Sequence, residues 1–169
     1  SSVKDGNAPT FLSLVARAVL RACHRVPTAN AMFDAAAGEI VYHPHIPLGI
    51  AMATPKGLVV ASVDHADNLT ASQLAQAITD KRERAQTGTL TPAELTSSTI
   101  TISNVGVFGV DAGVPIINPG ESVILAVGTV RKKPWEYQGE IALREVLTLS
   151  VSFDHRLIDG AEASAFITA

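Results

Sequence analysis

The densest polar chemistry in this sequence is Ser152-Phe153-Asp154-His155-Arg156-Leu157-Ile158-Asp159-Gly160, which follows directly on a strongly apolar run. A histidine at the rigid end of a strand keeps little positional freedom, so its imidazole can be aimed at a substrate. Neutral imidazole also has a suitable pKa for a general base near neutral pH. Asp159 follows four residues later, near the start of a predicted helix, where the helix dipole favours a carboxylate. It can orient the imidazole directly or hold the turn by pairing with a cation. Arg156 has Asp154, Asp159 or a neighbouring chain as candidate partners, and spacing does not choose among them. The alternative for His155 is a structural histidine in a turn. A second polar point is Ser103-Asn104, where the alternating run Thr99–Ser103 enters a loop carrying Gly106, Gly109 and Gly113. The Ser103 hydroxyl reads either as a donor to an oxyanion or as a strand-end hydroxyl bonded to backbone. Asn104 reads as a loop-positioning or a substrate-contacting residue. Ser103, His155 and Asp159 could also be read as a hydrolytic triad, but Ser103 lacks the Gly-x-Ser-x-Gly elbow.

These residues need elements to position them. Thr10 can cap a helix whose apolar residues Leu14, Val15, Ala18, Val19 and Ala22 recur at helical spacing and which ends before Pro27. Residues 28–38 read as a loop and Glu39–His43 as a short strand. Ile46–Ala53 and Leu58–Val63 flank Thr54-Pro55-Lys56-Gly57, a hairpin turn signal. A second helix runs from Thr70 or Ala71 to about Gln86, with Leu74, Ala77, Ile78 and Lys81 inward and Gly88 as its stop. Strands are then expected at Thr99–Ser103, Val114–Ile117, Ser122–Arg131 and Ile141–Phe153, with Pro134-Trp135 as a break. A last helix begins near residue 160. Helices followed by a run of strands, without regular βαβ alternation, predict an α+β fold with helices on a mixed or antiparallel sheet.

Composition narrows the function classes. The 169 residues favour a single domain, with residues 1–9 as a disordered segment or linker remnant. The net charge of −3 argues against nucleic-acid binding, and no run of about 18 apolar residues suggests a membrane helix. The single cysteine, Cys23, falls in an apolar helical pattern and reads as buried and inert; a disulfide framework is excluded, which fits a reducing, cytoplasmic setting. Only 17% of residues are charged, which fits either a surface covered by partner chains or a compact monomer. His43-x-His45 lacks the Cys or carboxylate neighbours a metal site needs, so no metal is expected. The short basic run Arg131-Lys132-Lys133 reads as a solvated turn or as a contact for phosphates.

Asp154-His155-Arg156-Leu157-Ile158-Asp159-Gly160 resembles the His-x-x-x-Asp-Gly signature shared by dihydrolipoamide acyltransferases and chloramphenicol acetyltransferases. Ile102-Ser103-Asn104-Val105-Gly106-Val107-Phe108-Gly109 is similar to the acyltransferases' second motif. Pro115-Ile116-Ile117-Asn118-Pro119-Gly120-Glu121 and Ile124-Leu125-Ala126-Val127-Gly128 continue the match in order, and the 52-residue separation of Ser103 and His155 agrees. The resemblance implies a chloramphenicol-acetyltransferase-like α/β sandwich and the catalytic domain of an acyltransferase over residues 10–169, incomplete at both ends. It implies transfer of an acyl group between dihydrolipoamide and coenzyme A, at the core of a 2-oxo acid dehydrogenase complex. Coenzyme A would be a substrate, and the lipoyl group would ride on a domain not present in this chain. It further implies a homotrimer with sites at subunit seams, assembling into a cubic or dodecahedral core. Its partners would be the decarboxylase-dehydrogenase and dihydrolipoamide dehydrogenase components. His155 would be the base, Ser103 the oxyanion donor from a neighbouring chain, Asp159 the holder of the turn, and Asn104 and Gly106 substrate-side residues. The wording of Pro119-Gly120-Glu121, Arg131–Trp135 and Ser152-Phe153-Asp154 looks most like branched-chain members; acetyl- and succinyl-transferring relatives stay open, as does a mainly structural scaffold.

Overall fold

The structure, a computed structural model, describes residues 8–169; the disorder expected over residues 1–9 lies almost wholly outside them. Helix α1 spans Phe11–Arg25. The Thr10 side chain accepts from the Ser13 backbone N–H, while the Ser13 hydroxyl accepts from the Thr10 N–H. Two donors that would otherwise be orphaned at the helix start are thereby satisfied. Its buried stripe is Leu12, Ala16, Val19, Leu20 and Cys23, whereas Leu14 is 54% exposed, so the inward face is rotated from the one expected. Helix α2, Ala71–Thr87, repeats the reciprocal cap with Thr70 and Gln73 and ends at Gly88, whose φ of 70° suits a residue without Cβ. Helix α3, Pro92–Thr96, is tied to α2 by Glu94, which lies 2.5 Å from Lys81 and 2.6 Å from Arg84.

A five-stranded mixed sheet forms the centre, in the order β4-β3-β5-β6-β9. Its strands are β3 (Leu48–Thr54), β4 (Gly57–Val63), β5 (Ile100–Asn104), β6 (Val123–Val127) and β9 (Leu149–Phe153). Strands β3, β5 and β6 run parallel; β4 and β9 are antiparallel to their neighbours. Alternation puts Ile50, Ile100, Ile102, Val123 and Leu125 on one face, where they join α1, α2 and α4 (Gly160–Ile167) in a continuous core. Fully burying each such side chain contributes about 1.5–3 kcal/mol. The other face carries small or polar residues: Gly49, Ala51, Thr101, Ser103, Ala126, Ser150 and Ser152. Among the described residues only the short α3 reaches that face, at its β4 edge, where Leu95 and Thr96 adjoin Leu58 and Val60. Gly49 is required there, because a Cβ would lie 2.5 Å from the Thr101 hydroxyl and 2.8 Å from Val60.

Several expectations change. Strand β1 (Ala31–Asp34) occupies part of the expected loop and pairs with β2 (Glu39–Tyr42); Asp34 closes the turn by accepting from the Ala36 and Ala37 N–H groups. Val114–Ile117 is irregular, with Val114 91% and Ile116 88% exposed. The expected strand Ser122–Arg131 divides at Gly128, where a Cβ would meet the Asp111 carbonyl at 2.0 Å. The glycine-rich loop crosses there and the chain leaves the sheet. It then forms a separate exposed hairpin, β7 (Arg131–Tyr137) with β8 (Glu140–Val146). Pro134 therefore lies inside a strand instead of breaking one, as an open two-stranded edge permits. Gln138 and Gly139 turn the hairpin with φ of 55° and 83°, the conformation of a type I′ turn. The expected long strand Ile141–Phe153 is accordingly two strands in two sheets.

Candidate active site

His155 follows the last sheet residues of β9. The Asp154 N–H donates to the Ser122 carbonyl, and the Asp154 carbonyl accepts from the Leu157 and Ile158 N–H groups. Leu157 and Ile158 are buried and anchor the turn. The Arg156 guanidinium grips Asp154 in two places, Nε to Oδ1 at 3.0 Å and NH2 to Oδ2 at 2.7 Å. It also lies over the Phe33 ring at 4.7 Å. This cation holds the Asp154 carboxyl below the usual carboxylate range. The turn is thus clamped on both sides, and it presents His155 at the surface, its ring 5.6 Å from that of Phe153.

Among the described residues Asp159 meets neither the imidazole nor a cation, the two partners its position suggested. It is the N-cap of α4: its carboxylate accepts from the Glu162 N–H at 2.9 Å, and the Glu162 carboxylate accepts from the Asp159 N–H at 3.0 Å. Among the described residues it makes no ion pair, because Arg156 is committed to Asp154. Asp159 holds the end of the turn by starting the next helix.

Ser103 sits near the C-terminal end of β5, opposite Ala126 of β6. Its hydroxyl has no hydrogen-bond partner among the described residues. It lines two adjoining cavities, of about 260 Å³ and about 310 Å³. Asn104 lines the first of these with Ser103. Gly106 is explained by packing: a Cβ there would lie 2.6 Å from the Gly128 carbonyl oxygen. The loop is pinned further where Thr129 donates to the Gly106 carbonyl and Arg131 binds Asp111 and the Gly109 carbonyl. Arg131 and Lys133 both approach Asp111, so this part of the basic run fastens a loop.

The two principal residues do not meet within one chain. Ser103 is level with Ala126, and Ala126 with Ser150, whereas His155 lies five residues beyond Ser150. At about 3.3 Å per residue and 4.8 Å between strands, that is roughly 16 Å along the sheet and roughly 10 Å across it. A Ser103-His155-Asp159 triad inside one copy is excluded. The surroundings of Ser103 are instead an open apolar trough: Leu58 is 72%, Val107 70% and Phe108 68% exposed. Large apolar side chains concentrated in this way mark a surface for another molecule.

Sequence reasoning missed a buried polar cluster beside the trough. Glu121, only 6% exposed, accepts from Ser98 at 2.6 Å, Thr101 at 2.8 Å and Asn118 at 3.0 Å. The signal was a polar pair, Asn118 and Glu121, flanking Pro119-Gly120 inside an apolar stretch. Elsewhere, burial pushes the Cys23 thiol up to about 12, which leaves it inert. Among the described residues no three His, Cys, Asp or Glu side chains converge as a metal set.

Comparison with known proteins agrees with this fold. The chain is 40% identical over 94% of its length to the dihydrolipoyllysine-residue acetyltransferase component of the Mycoplasma capricolum pyruvate dehydrogenase complex, covering 36% of that protein. It is 37% identical over 93% of its length to the succinyltransferase component of the Haemophilus influenzae 2-oxoglutarate dehydrogenase complex, covering 38% of it. The chain therefore spans about two fifths of the length of the curated relatives it matches. Among solved structures, the dihydrolipoamide acetyltransferase of Azotobacter vinelandii superposes with a TM-score of 0.91 at 30% identity, covering 98% of this chain and 68% of that one. That enzyme was investigated for the role of a serine, a histidine and an asparagine in its catalytic mechanism. The histidine follows the serine by 52 residues and the asparagine follows the histidine by four, the separations of Ser103, His155 and Asp159 here. Chloramphenicol acetyltransferase shares the fold alone, with a TM-score of 0.50 at 18% identity over 94% of this chain and 75% of that one. The family described as 2-oxoacid dehydrogenases acyltransferase (catalytic domain) matches residues 1–169, and the chain belongs to that family.

Proposed function

We propose that this chain transfers an acyl group between dihydrolipoamide and coenzyme A, as the core of a 2-oxo acid dehydrogenase complex. In this reading the site is completed between copies, with His155 from one and Ser103 from its neighbour. The observation that carries it is the pair itself. Both residues sit at the ends of sheet strands, neither side chain makes a hydrogen bond among the described residues, and they stand too far apart in one copy to act together.

The chemistry follows from the residue types. A free thiol has a pKa near 8.5, and only its thiolate is a good nucleophile. His155 takes the proton from the coenzyme A sulfur, which attacks the carbonyl carbon of the acyl-dihydrolipoyl thioester. The oxyanion formed accepts a hydrogen bond from the Ser103 hydroxyl. Collapse breaks the bond to the lipoyl sulfur, and His155 returns the proton to it. No acyl-enzyme is needed. Asp159 and the Asp154–Arg156 pair act on this step by fixing the turn, and Asn104 lies at the substrate side of Ser103.

A homotrimer is the smallest closed arrangement in which each site draws on two neighbours in a head-to-tail ring. A cubic or dodecahedral core built from such trimers would serve as the hub for decarboxylase-dehydrogenase and dihydrolipoamide dehydrogenase components. The acyl group we favour is uncharged and branched, of the 2-methylpropanoyl type, since the trough around Ser103 is walled by Val60, Val105, Ile116 and Ile124. Acetyl and succinyl groups are the alternatives. The test is to supply the purified oligomer with dihydrolipoamide and 2-methylpropanoyl-, acetyl- or succinyl-coenzyme A and follow the release of free coenzyme A by chromatography. Turnover that depends on both substrates is expected. No turnover with any donor would reduce the chain to a scaffold, and full turnover after loss of His155 would remove that residue as the base.

A further inference from the structure

We infer that the buried Glu121 carboxylate is a specificity device, which makes the acyl end of the trough hostile to acyl groups bearing a second carboxylate. The inference rests on the acyltransferase reading and narrows its substrate class. Three cavities run together along the Ser103 face of the sheet and its β4 edge, where residues of α1, α2 and α3 join the lining. The first two share Ala51, Leu58 and Ser103, and the second and third share Leu58, Val60 and Asn118. Ser103 therefore lies mid-trough, with Glu121 in the wall of the third cavity, of about 430 Å³.

The charges along this path are unequal. Glu121 accepts only from the neutral groups of Ser98, Thr101 and Asn118. An acceptor served by three donors is a satisfied carboxylate, and no cation lies within ion-pair distance of it among the described residues. Arg82 is the one cation lining any of the three cavities, and it is exposed at the opposite mouth, beside Gln86 on α2. Thr101 and Ser103 share a strand face two residues apart, so the Glu121 carboxylate stands roughly 7–10 Å from the Ser103 hydroxyl. An uncharged acyl group can lie against the apolar side chains there, Leu58, Val60 and Leu95, without a charge to bring near Glu121. The terminal carboxylate of a succinyl group would be brought into a partly desolvated space facing a fixed like charge. At a separation of about 6 Å and an effective dielectric near 20, that repulsion corresponds to on the order of 100-fold in binding.

The experiment compares 2-methylpropanoyl- and succinyl-coenzyme A as donors, by kcat/KM and separately by equilibrium binding, for the wild-type oligomer and for Glu121→Gln. The glutamine is isosteric, and the Asn118 amide can turn over to accept from it. The wild type should prefer the uncharged donor by on the order of 100-fold. Glu121→Gln should raise succinyl use by at least about tenfold while leaving the uncharged donor within about threefold. A merely structural role would lower both together. Equal wild-type use of the two donors overturns the inference, as does a folded Glu121→Gln protein with an unchanged ratio. If that variant fails to fold, Val60→Lys places a compensating cation in the shared wall and must shift the ratio the same way. Absence of turnover with every donor would sink the acyltransferase reading, while the binding ratio would still decide the role of Glu121.

Discussion

At the β5 end of the central sheet, Ser103 is recessed in an apolar trough, and its surroundings are fixed by backbone packing. Gly106 lies against Gly128, and the loop is stitched down by Thr129 and Arg131. At the β9 end, His155 projects from a turn fixed by an ion pair, a ring contact and a helix cap. One end is a shaped cavity without a base; the other is a base without a cavity. On the proposed reading each end is half of a site, and the sheet separating them sets the two halves at opposite sides of one copy.

This comparison can be broken at either end. The largest effect is expected from His155→Ala, which should lower kcat by about 10²–10⁴-fold while leaving the melting temperature unchanged. Ser103→Ala should lower kcat by about 10²–10³-fold with little change in KM, as for loss of an oxyanion donor. If both variants instead raise KM alone, the residues bind substrate without acting on the transition state.

Gly106→Ala tests how the cavity end is held. Its Cβ would meet backbone at 2.6 Å, so the loop must shift, at a cost of about 1–3 kcal/mol in denaturant unfolding. Activity should fall with it, since the loop adjoins Ser103. Arg156→Met tests the clamp and should cost less, about tenfold in kcat, with His155 still present. The clamp has a definite pH sense. Asp154 has a folded pKa below its unfolded one, so the clamp's stabilisation is full above an ordinary carboxyl pKa of about 3.9. It fades as pH falls through the depressed folded value. An acid-unfolding midpoint should therefore rise in pH when Arg156 is replaced.

The sequence was most legible where a local rule suffices. The caps at Thr10, Thr70 and Gly88 and the turn between β3 and β4 follow from side-chain donors and backbone freedom alone. It was least legible where one apolar run serves two sheets. Val123–Val127 is buried on both faces, and the chain continues into the exposed β7 without a turn residue other than Gly128. What stops β6 is the passage of the residue 105–113 loop, a contact remote in sequence. The apolar Ile141 and Leu143 of β8 mimic a core strand although they are 84% and 71% exposed. Ser103 and His155 were nominated by their motifs, and the structure places one in the trough and the other just beyond β9. The choice of Asp154 over Asp159 as the partner of Arg156, and the Glu121 cluster, depend on folded distances that spacing does not encode.

The most direct test of a site shared between copies is to mix the two crippled proteins. Ser103→Ala and His155→Ala chains, each nearly inactive alone, are unfolded together in equal amounts and reassembled. Random neighbours in a head-to-tail ring pair an intact His155 with an intact Ser103 about one time in four, so about a quarter of wild-type activity should return. Reassembled mixed oligomers no more active than the separate variants would contradict the account.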